Sequence, residues 1–496
     1  MTRQNMPQDW PPLLIDPLDD KPRDECGVFG VYGLQDAAPL TVLGLHGLQH
    51  RGQEACGIAS YDGKRFHSER HMGLVSDNFS DMDMATRLPG DAAIGHVRYS
   101  TQGETALRNV QPLYADLKSG GFAVAHNGNL TNARALRAQL VSDGAIFQST
   151  SDTEVVLQLV AKSRRTHLVY RFIDALKKIE GAYALVALTN KKLIGARDPY
   201  GIRPLVLGRL AGAPVLASET CALDMIGAKF ERNIEPGEVV VITKDGVQSY
   251  HPFAKVRPRP CVFEFVYFSR PDSIVDGKSV YEVRKRMGKR LAIEHPADVD
   301  VIVPVPDSGV PAALGMAQEA NIPFELGIIR NHYVGRTFIQ PSQSVRDMGV
   351  RLKHAANPAV LAGKRVMLVD DSIVRGTTSL KIVRMVREAG ATEVHFRSAS
   401  PQIRYPDFYG IDMPNADHLL AAKRSLEEMK KMLEVDSLGF LSVDGLYWAM
   451  GEERRQTDAP AYADHYFTGD YPTRLTDYEQ HNADKAKQLS LLSEVA

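Results

Sequence analysis

Cysteine is scarce in this chain: four in 496 residues, at positions 26, 56, 221 and 261. No two form a CxxC pair, which excludes a zinc knuckle and a thioredoxin-type redox motif. No apolar run approaches the roughly 18 residues of a membrane span. Charge of one sign is lacking too. With 59 basic and 60 acidic residues the formal net charge is -1, so no basic excess points to nucleic acid. The opening MTRQNMPQDWPP has no apolar core of a secretory signal. The expectations are free thiols, a reducing cytoplasmic setting, and no nucleic-acid or membrane partner. There is no internal repeat.

The 44% hydrophobic and 24% charged content is that of a globular protein, and the length calls for more than one core. The first half alternates short strands with turn signals. Examples are Phe122–His126, Ala184–Thr189 and Val239–Thr243, with Asn127-Gly128 and Asp245-Gly246 as turns and helices over 153–162 and 170–180. This is an α+β pattern of layered antiparallel sheets. Val256-Arg-Pro-Arg-Pro260 marks a linker. Beyond it, buried-type strands at 299–306, 365–371 and 393–398 alternate with helices at 281–295, 311–320 and after residue 376, as in an α/β domain with a parallel sheet. The expected division is a leader 1–25, domains 26–255 and 256–440, and a polar, helical extension 441–496 packing across both.

Cys26 begins the run Cys-Gly-Val-Phe-Gly, and residues 1–25 hold five prolines and six acids. A thiol attacks a carboxamide as thiolate or with a base beside it. Cleavage before Cys26 would free an α-amine, whose reference pKa of about 7.7–8.0 suits that base. Until then Asp24-Glu25 keeps the amine acylated, and the leader is an off-switch. Cys56 and Cys221 are expected in the core.

Further signals follow: His50-Arg-Gly-Gln-Glu54, Gly95-His-Val-Arg-Tyr-Ser100, His126-Asn-Gly-Asn-Leu130 and Ser151-Asp-Thr-Glu154. In this order they resemble the N-terminal-nucleophile, class II glutamine amidotransferases. The resemblance implies that the Asn127 side chain and the Gly128 N–H form an oxyanion hole. It implies that Arg98 pairs with the glutamine α-carboxylate, Asp152 holds the α-ammonium and Arg51 helps frame the pocket.

In the second half, Val366-Met-Leu-Val-Asp-Asp-Ser-Ile-Val-Arg-Gly-Thr-Thr-Ser379 reads as a buried strand, two carboxylates and a loop entering a helix. Asp370 and Asp371 at a strand end need partners, and ribose hydroxyls or Mg²⁺ supply them. The amides and hydroxyls of Ser372, Arg375, Gly376, Thr377, Thr378 and Ser379 suit a phosphate at a helix N-terminus. This loop resembles that of the type I phosphoribosyltransferases. Asp307 and Ser308, in Val305-Pro-Asp-Ser-Gly309, form a second strand-end loop suited to pyrophosphate, and by resemblance Ser308 joins Asp370 and Asp371 around Mg²⁺. The long segment Arg330–Ser344 is expected to be a lid, with Tyr333, Arg336 and Gln340 on it; Lys353 beyond it could touch a nucleotide phosphate.

Together the halves, with Cys261-Val-Phe-Glu-Phe-Val-Tyr-Phe-Ser-Arg-Pro-Asp-Ser273 and Tyr333–Ser342, resemble the amidophosphoribosyltransferases. An N-terminal-nucleophile hydrolase domain followed by a type I phosphoribosyltransferase domain is implied. So are glutamine and phosphoribosyl pyrophosphate as substrates, ammonia channelled between sites, 5-phosphoribosylamine as product for purine synthesis, purine nucleotide inhibitors and a homotetramer. One branch of that family carries a 4Fe–4S cluster. Here Cys261 matches one ligand position, but Asp407, Ala463 and Tyr466 take the others, so no iron–sulfur cluster is expected. The rivals are a sugar-phosphate aminating enzyme, which lacks the loop 366–379, and a non-catalytic phosphoribosyl-sensing regulator, which needs a basic DNA-binding face.

Overall fold

The computed structural model describes residues 26–79, 83–99, 106–331, 354–413 and 415–482. The leader, the lid positions Tyr333, Arg336 and Gln340, and Lys353 lie outside the described residues.

The first half is a four-layer sandwich. One sheet has seven strands, with Gly27–Tyr32 between Ala213–Ala217 and Ala92–Arg98; the other has six, with Gly181–Thr189 beside Gly120–Leu130. Neighbours in both run antiparallel. Between the sheets lie Val28, Ala59, Ile94, Ala123, Ala125, Ala184 and Val186, many of them small, which lets the layers come close. The outer faces are closed by helices. Ala37–Gly47 and Thr220–Met225 cover the first sheet, and Thr153–Lys162 and Leu168–Leu176 the second. Strands buried on both faces are therefore near-continuous apolar runs. Cys56 and Cys221 are buried in this core, as expected.

One local expectation fails. Asn127-Gly128 is no turn: the strand Gly120–Leu130 runs through it, with Asn127 opposite Ala184 and Gly128 opposite Tyr183. Cross-strand pairing outweighs the local turn preference of the dipeptide. Gly128 keeps a positive φ of 134°, which explains why glycine stands there.

The second half is a parallel sheet in the order Val301–Pro304, Arg365–Asp370, Glu393–Ser398, Ser437–Phe440. Ile302, Met367 and Val369 face one core, and Val301, Val303, Val366 and Leu368 the other. Helix Val280–Glu294 is capped by Ser279, whose hydroxyl accepts the Glu282 N–H. Helix Val310–Ala320 opens with proline in its first turn.

The segment after residue 440 crosses between the halves but is less helical than its polarity suggests. Helices Val443–Ala449 and His465–Thr468 are short, and Gly451, Pro460, Gly469 and Pro472 interrupt the rest. Its end grips the first half: Thr131 Oγ1 donates to Arg474 O at 2.7 Å, and the Asp477 carboxylate accepts the Arg134 and Ala135 N–H groups at 2.8 and 3.0 Å.

Candidate active site

Cys26 starts the central strand of the first sheet. The register Gly27↔Val97 sets it beside Arg98 at the end of the neighbouring strand. Its thiol is buried and faces Tyr99 O at 3.5 Å. Burial pushes this thiol up to about 11, against the pull of the Arg98 charge, so it is protonated at neutral pH. Burial lowers the Arg98 guanidinium from its usual value, offset by Cys26, Glu54 and Asp152.

Asp152 precedes helix Thr153–Lys162. One of its oxygens accepts the Leu130 N–H at 3.0 Å and lies 3.5 Å from His126 Nδ1. Burial alone would raise this carboxyl, but His126 and the N–H donors outweigh it, so Asp152 stays ionised. Asn127 is fully buried, with Nδ2 3.2 Å from Ser218 Oγ and Oδ1 lacking a partner. The same Ser218 oxygen accepts the Val28 N–H at 2.9 Å. Rotating the Asn127 amide by half a turn lets Oδ1 accept the Ser218 hydroxyl and frees Nδ2 to donate elsewhere. Ser218 thus ties the Asn127 amide to the strand that follows Cys26. Neither Ser218 nor His126 was singled out in the sequence. His126 sits inside a recognised motif, but Ser218 lies in no pattern that marks it.

At the other site, the strands Val301–Pro304 and Arg365–Asp370 end together, Pro304 opposite Val369. Their loops meet: Ser308 Oγ donates to Asp371 Oδ1 at 2.5 Å, Ser372 Oγ to Asp371 Oδ2 at 2.7 Å, and the Asp371 N–H to Asp370 Oδ1 at 2.9 Å. Both carboxylates are buried. Asp307 pairs with Arg330. Gly376, at a φ of 81°, caps helix Thr377–Glu388, and Thr377 Oγ1 in its first turn is buried with no hydrogen-bond partner among the described residues. Ser379 is buried in the same turn, Thr378 is half-buried beside it, and Arg375 is half-buried on the loop before the helix. A glycine-led helix start with hydroxyls beside it is an arrangement that suits an anion.

Residues 96–225 match the model of a glutamine amidotransferase domain, and 273–399 that of a phosphoribosyl transferase domain. An amidophosphoribosyltransferase of Rhizobium etli is 61% identical over 96% of this chain and 97% of its own length. One from Bacillus subtilis is 46% identical over 91% and 95%. The solved B. subtilis glutamine phosphoribosylpyrophosphate amidotransferase, complexed with ADP and GMP, superposes with a TM-score of 0.86 at 46% identity, over 91% of this chain and 98% of that one. The chain belongs to the amidophosphoribosyltransferase family. It is a glutamine-dependent phosphoribosyl-aminating enzyme, and its family carries out the first step of purine biosynthesis.

Arg51 lies against the backbone of Cys26. Its guanidinium is wholly buried. Nε donates to Cys26 O at 3.2 Å, Nη1 to Glu219 at 2.5 Å and Glu264 at 2.9 Å, and Nη2 to Glu264 at 2.8 Å. Glu264 belongs to the second half, so this cluster fastens Cys26 to the phosphoribosyl transferase domain. Burial would raise both carboxyls, but His50 and Arg51 hold Glu219 far below the usual range, and Arg51 with Arg203 lowers Glu264. Arg51→Met should therefore cost about 3–5 kcal/mol by leaving two buried charges without their guanidinium. Because both folded-state values lie below the unfolded carboxyl value of about 4.3, the stabilisation is complete above that pH and fades as pH falls through the folded values. Thermal unfolding from pH 7 downward should show the gap between the two proteins narrowing below about pH 4.

The positions that align with iron–sulfur ligands do come together. Cys261 bridges to Ala463, and its Sγ lies 3.2 Å from the Tyr466 hydroxyl. Asp407 Oδ1 faces His465 Nε2 at 2.7 Å, and Oδ2 accepts the N–H groups of Tyr409 and Ile411. A single thiol, an alanine, a buried phenol and a carboxylate already engaged through both oxygens do not fit a 4Fe–4S cluster.

Proposed function

We propose that removal of residues 1–25 makes Cys26 the first residue and its α-amine the general base of glutamine hydrolysis. The observation that carries this is the buried Cys26 thiol, whose Sγ faces a carbonyl oxygen, Tyr99 O at 3.5 Å, rather than a base. In this reading the thiol proton passes to the α-amine as sulfur attacks the carboxamide. Asn127 Nδ2 and the Gly128 N–H receive the oxyanion, Arg98 the α-carboxylate and Asp152 the α-ammonium of glutamine. The proton then goes to the departing nitrogen, giving ammonia and a γ-glutamyl thioester that water cleaves to glutamate.

At the second site ammonia displaces pyrophosphate at C1 of phosphoribosyl pyrophosphate. Ser372 and the loop Arg375–Ser379 hold the 5-phosphate, and Asp307 and Ser308 face the pyrophosphate. Ser308, Asp370 and Asp371 would hold Mg²⁺, which supplies charge neutralisation on the diphosphate; two carboxylates and a hydroxyl are the hard oxygen donors it takes. Ammonia passes between the two sites by a dry path. Purine nucleotides as inhibitors, a homotetramer and a cytoplasmic setting complete the proposal. The nucleotides draw support from the ADP and GMP in the B. subtilis complex. No helix among the described residues is long and apolar enough to cross a membrane.

The test is isotopic. Glutamine labelled with nitrogen-15 in its amide, supplied with phosphoribosyl pyrophosphate, Mg²⁺ and excess unlabelled ammonium, should give labelled phosphoribosylamine at early times. Label diluted to the bulk ratio would end the channel. Glutamate formation without pyrophosphate release would end the transfer.

A further inference from the structure

The loop Asp407–Met413 belongs in sequence to the phosphoribosyl half, yet its tip rests on the strand that carries Asn127 and Gly128. A Cβ on Gly410 would stand 3.3 Å from both Cα and C of Gly128, and 3.4 Å from Arg203 Nη2. Asn129, the next residue but one after Asn127, donates from Nδ2 to Phe408 O at 2.8 Å. Arg203 donates to Tyr409 O from Nε at 3.1 Å and Nη2 at 2.8 Å. Gly128 is closed on another side as well: a Cβ there would lie 2.2 Å from Ala182 O. Gly128 is therefore wedged between its own sheet and, at its Cα and carbonyl carbon, the loop of the other half.

The shape of the tip depends on Asp407. Its Oδ2 accepts the Tyr409 N–H at 2.9 Å and the Ile411 N–H at 2.6 Å, on either side of Gly410, whose φ is 127°. Its Oδ1 is anchored by His465 at 2.7 Å. Asp407, His465 and Arg203 are all buried, so water does not soften these bonds.

We infer that the Asp407–His465 pair and Gly410 are positioning residues for glutamine hydrolysis: from the phosphoribosyl half they fix the peptide of Gly128, so that its N–H points at the oxyanion. None of them touches glutamine. The inference rests on the reading of Asn127 and Gly128 as oxyanion donors, and it gives the closely packed loop a role beyond holding the halves together.

Gly410→Ala adds one methyl group against Gly128 and strains the tip; Asp407→Asn removes the charge and an acceptor at constant shape. A displacement of this order costs about 10- to 100-fold in rate. Each variant should lose that much in kcat for glutamine-dependent synthesis, keep KM for glutamine within about twofold, and keep ammonia-dependent synthesis at the parent rate. Unchanged kcat with glutamine in both variants would overturn the inference. So would an equal fall of the glutamine and ammonia activities in both, which marks a general structural role. Asn127→Ala is run alongside. If it loses glutamine-dependent kcat while both loop variants keep theirs, the oxyanion reading stands and the positioning inference falls. If it keeps full activity, the oxyanion reading itself is wrong.

Discussion

Cys26→Ser should lower glutamine-dependent synthesis by on the order of 10³-fold or more while leaving ammonia-dependent synthesis at the parent rate. A serine hydroxyl is a far weaker acid than a thiol, and an α-amine near pKa 8 cannot draw off its proton effectively. The unprocessed chain should fail in the same way for a different reason. Its thiol is present but buried and held up to about 11, and the nitrogen that would act as base is an amide. Glutamate release measured on the processed protein, the serine variant and an uncleaved form separates these cases. In the processed protein activity should rise with pH as the amine deprotonates, between about 7 and 8. Glutamine hydrolysis at the parent rate by the serine variant or the uncut chain would refute the assignment of Cys26.

Asp371→Asn should remove phosphoribosyl transfer with either nitrogen source, by on the order of 10²- to 10³-fold. Glutamine hydrolysis should survive, because Cys26 and its neighbours are untouched. The expectation follows from geometry: Asp371 takes the hydroxyls of Ser308 and Ser372, one on each oxygen, and so joins the two strand-end loops. Asparagine keeps the shape but loses one acceptor and the charge. A second cost falls on Arg284, which donates to Phe265 O and Ser269 O and is lowered to about 10 by burial, with the Asp371 charge opposing that shift. Pyrophosphate release with glutamine and with ammonium reports both effects. A variant that loses only the glutamine-dependent reaction would show that Asp371 serves communication between sites rather than the sugar diphosphate.

The chemistry near the chain was legible because it is local. A strand that ends at Asp370, followed by a helix that starts behind Gly376, needs no tertiary information to be read. Cys26 before a buried strand is similar, and the alternation of strands and helices after residue 260 gave the parallel sheet. Sequence failed where distant residues decide. The Asn127-Gly128 pair has the composition of a turn, and only its pairing with Ala184 and Tyr183 makes it strand. Arg51 was expected to help frame the pocket; its bonds to Cys26 O and to glutamates 168 and 213 residues away could not be read from the chain. Ser218 and Asp407 have short polar side chains of ordinary appearance, and their importance comes entirely from what the fold sets against them.

The interlock of Arg51 with Glu264, and of Gly128 with Gly410, makes the amidase half a poor candidate for excision. A fragment ending at the linker would keep Cys26, Arg98, Asn127, Gly128 and Asp152. It would also leave the buried Arg51 guanidinium without Glu264 and uncover the side of Gly128 that Gly410 closes. Fusion of the two catalysts in one polypeptide is then more than a tether for a shared intermediate: each is part of the other's interior, and gene rearrangement that parted them would have to rebuild both.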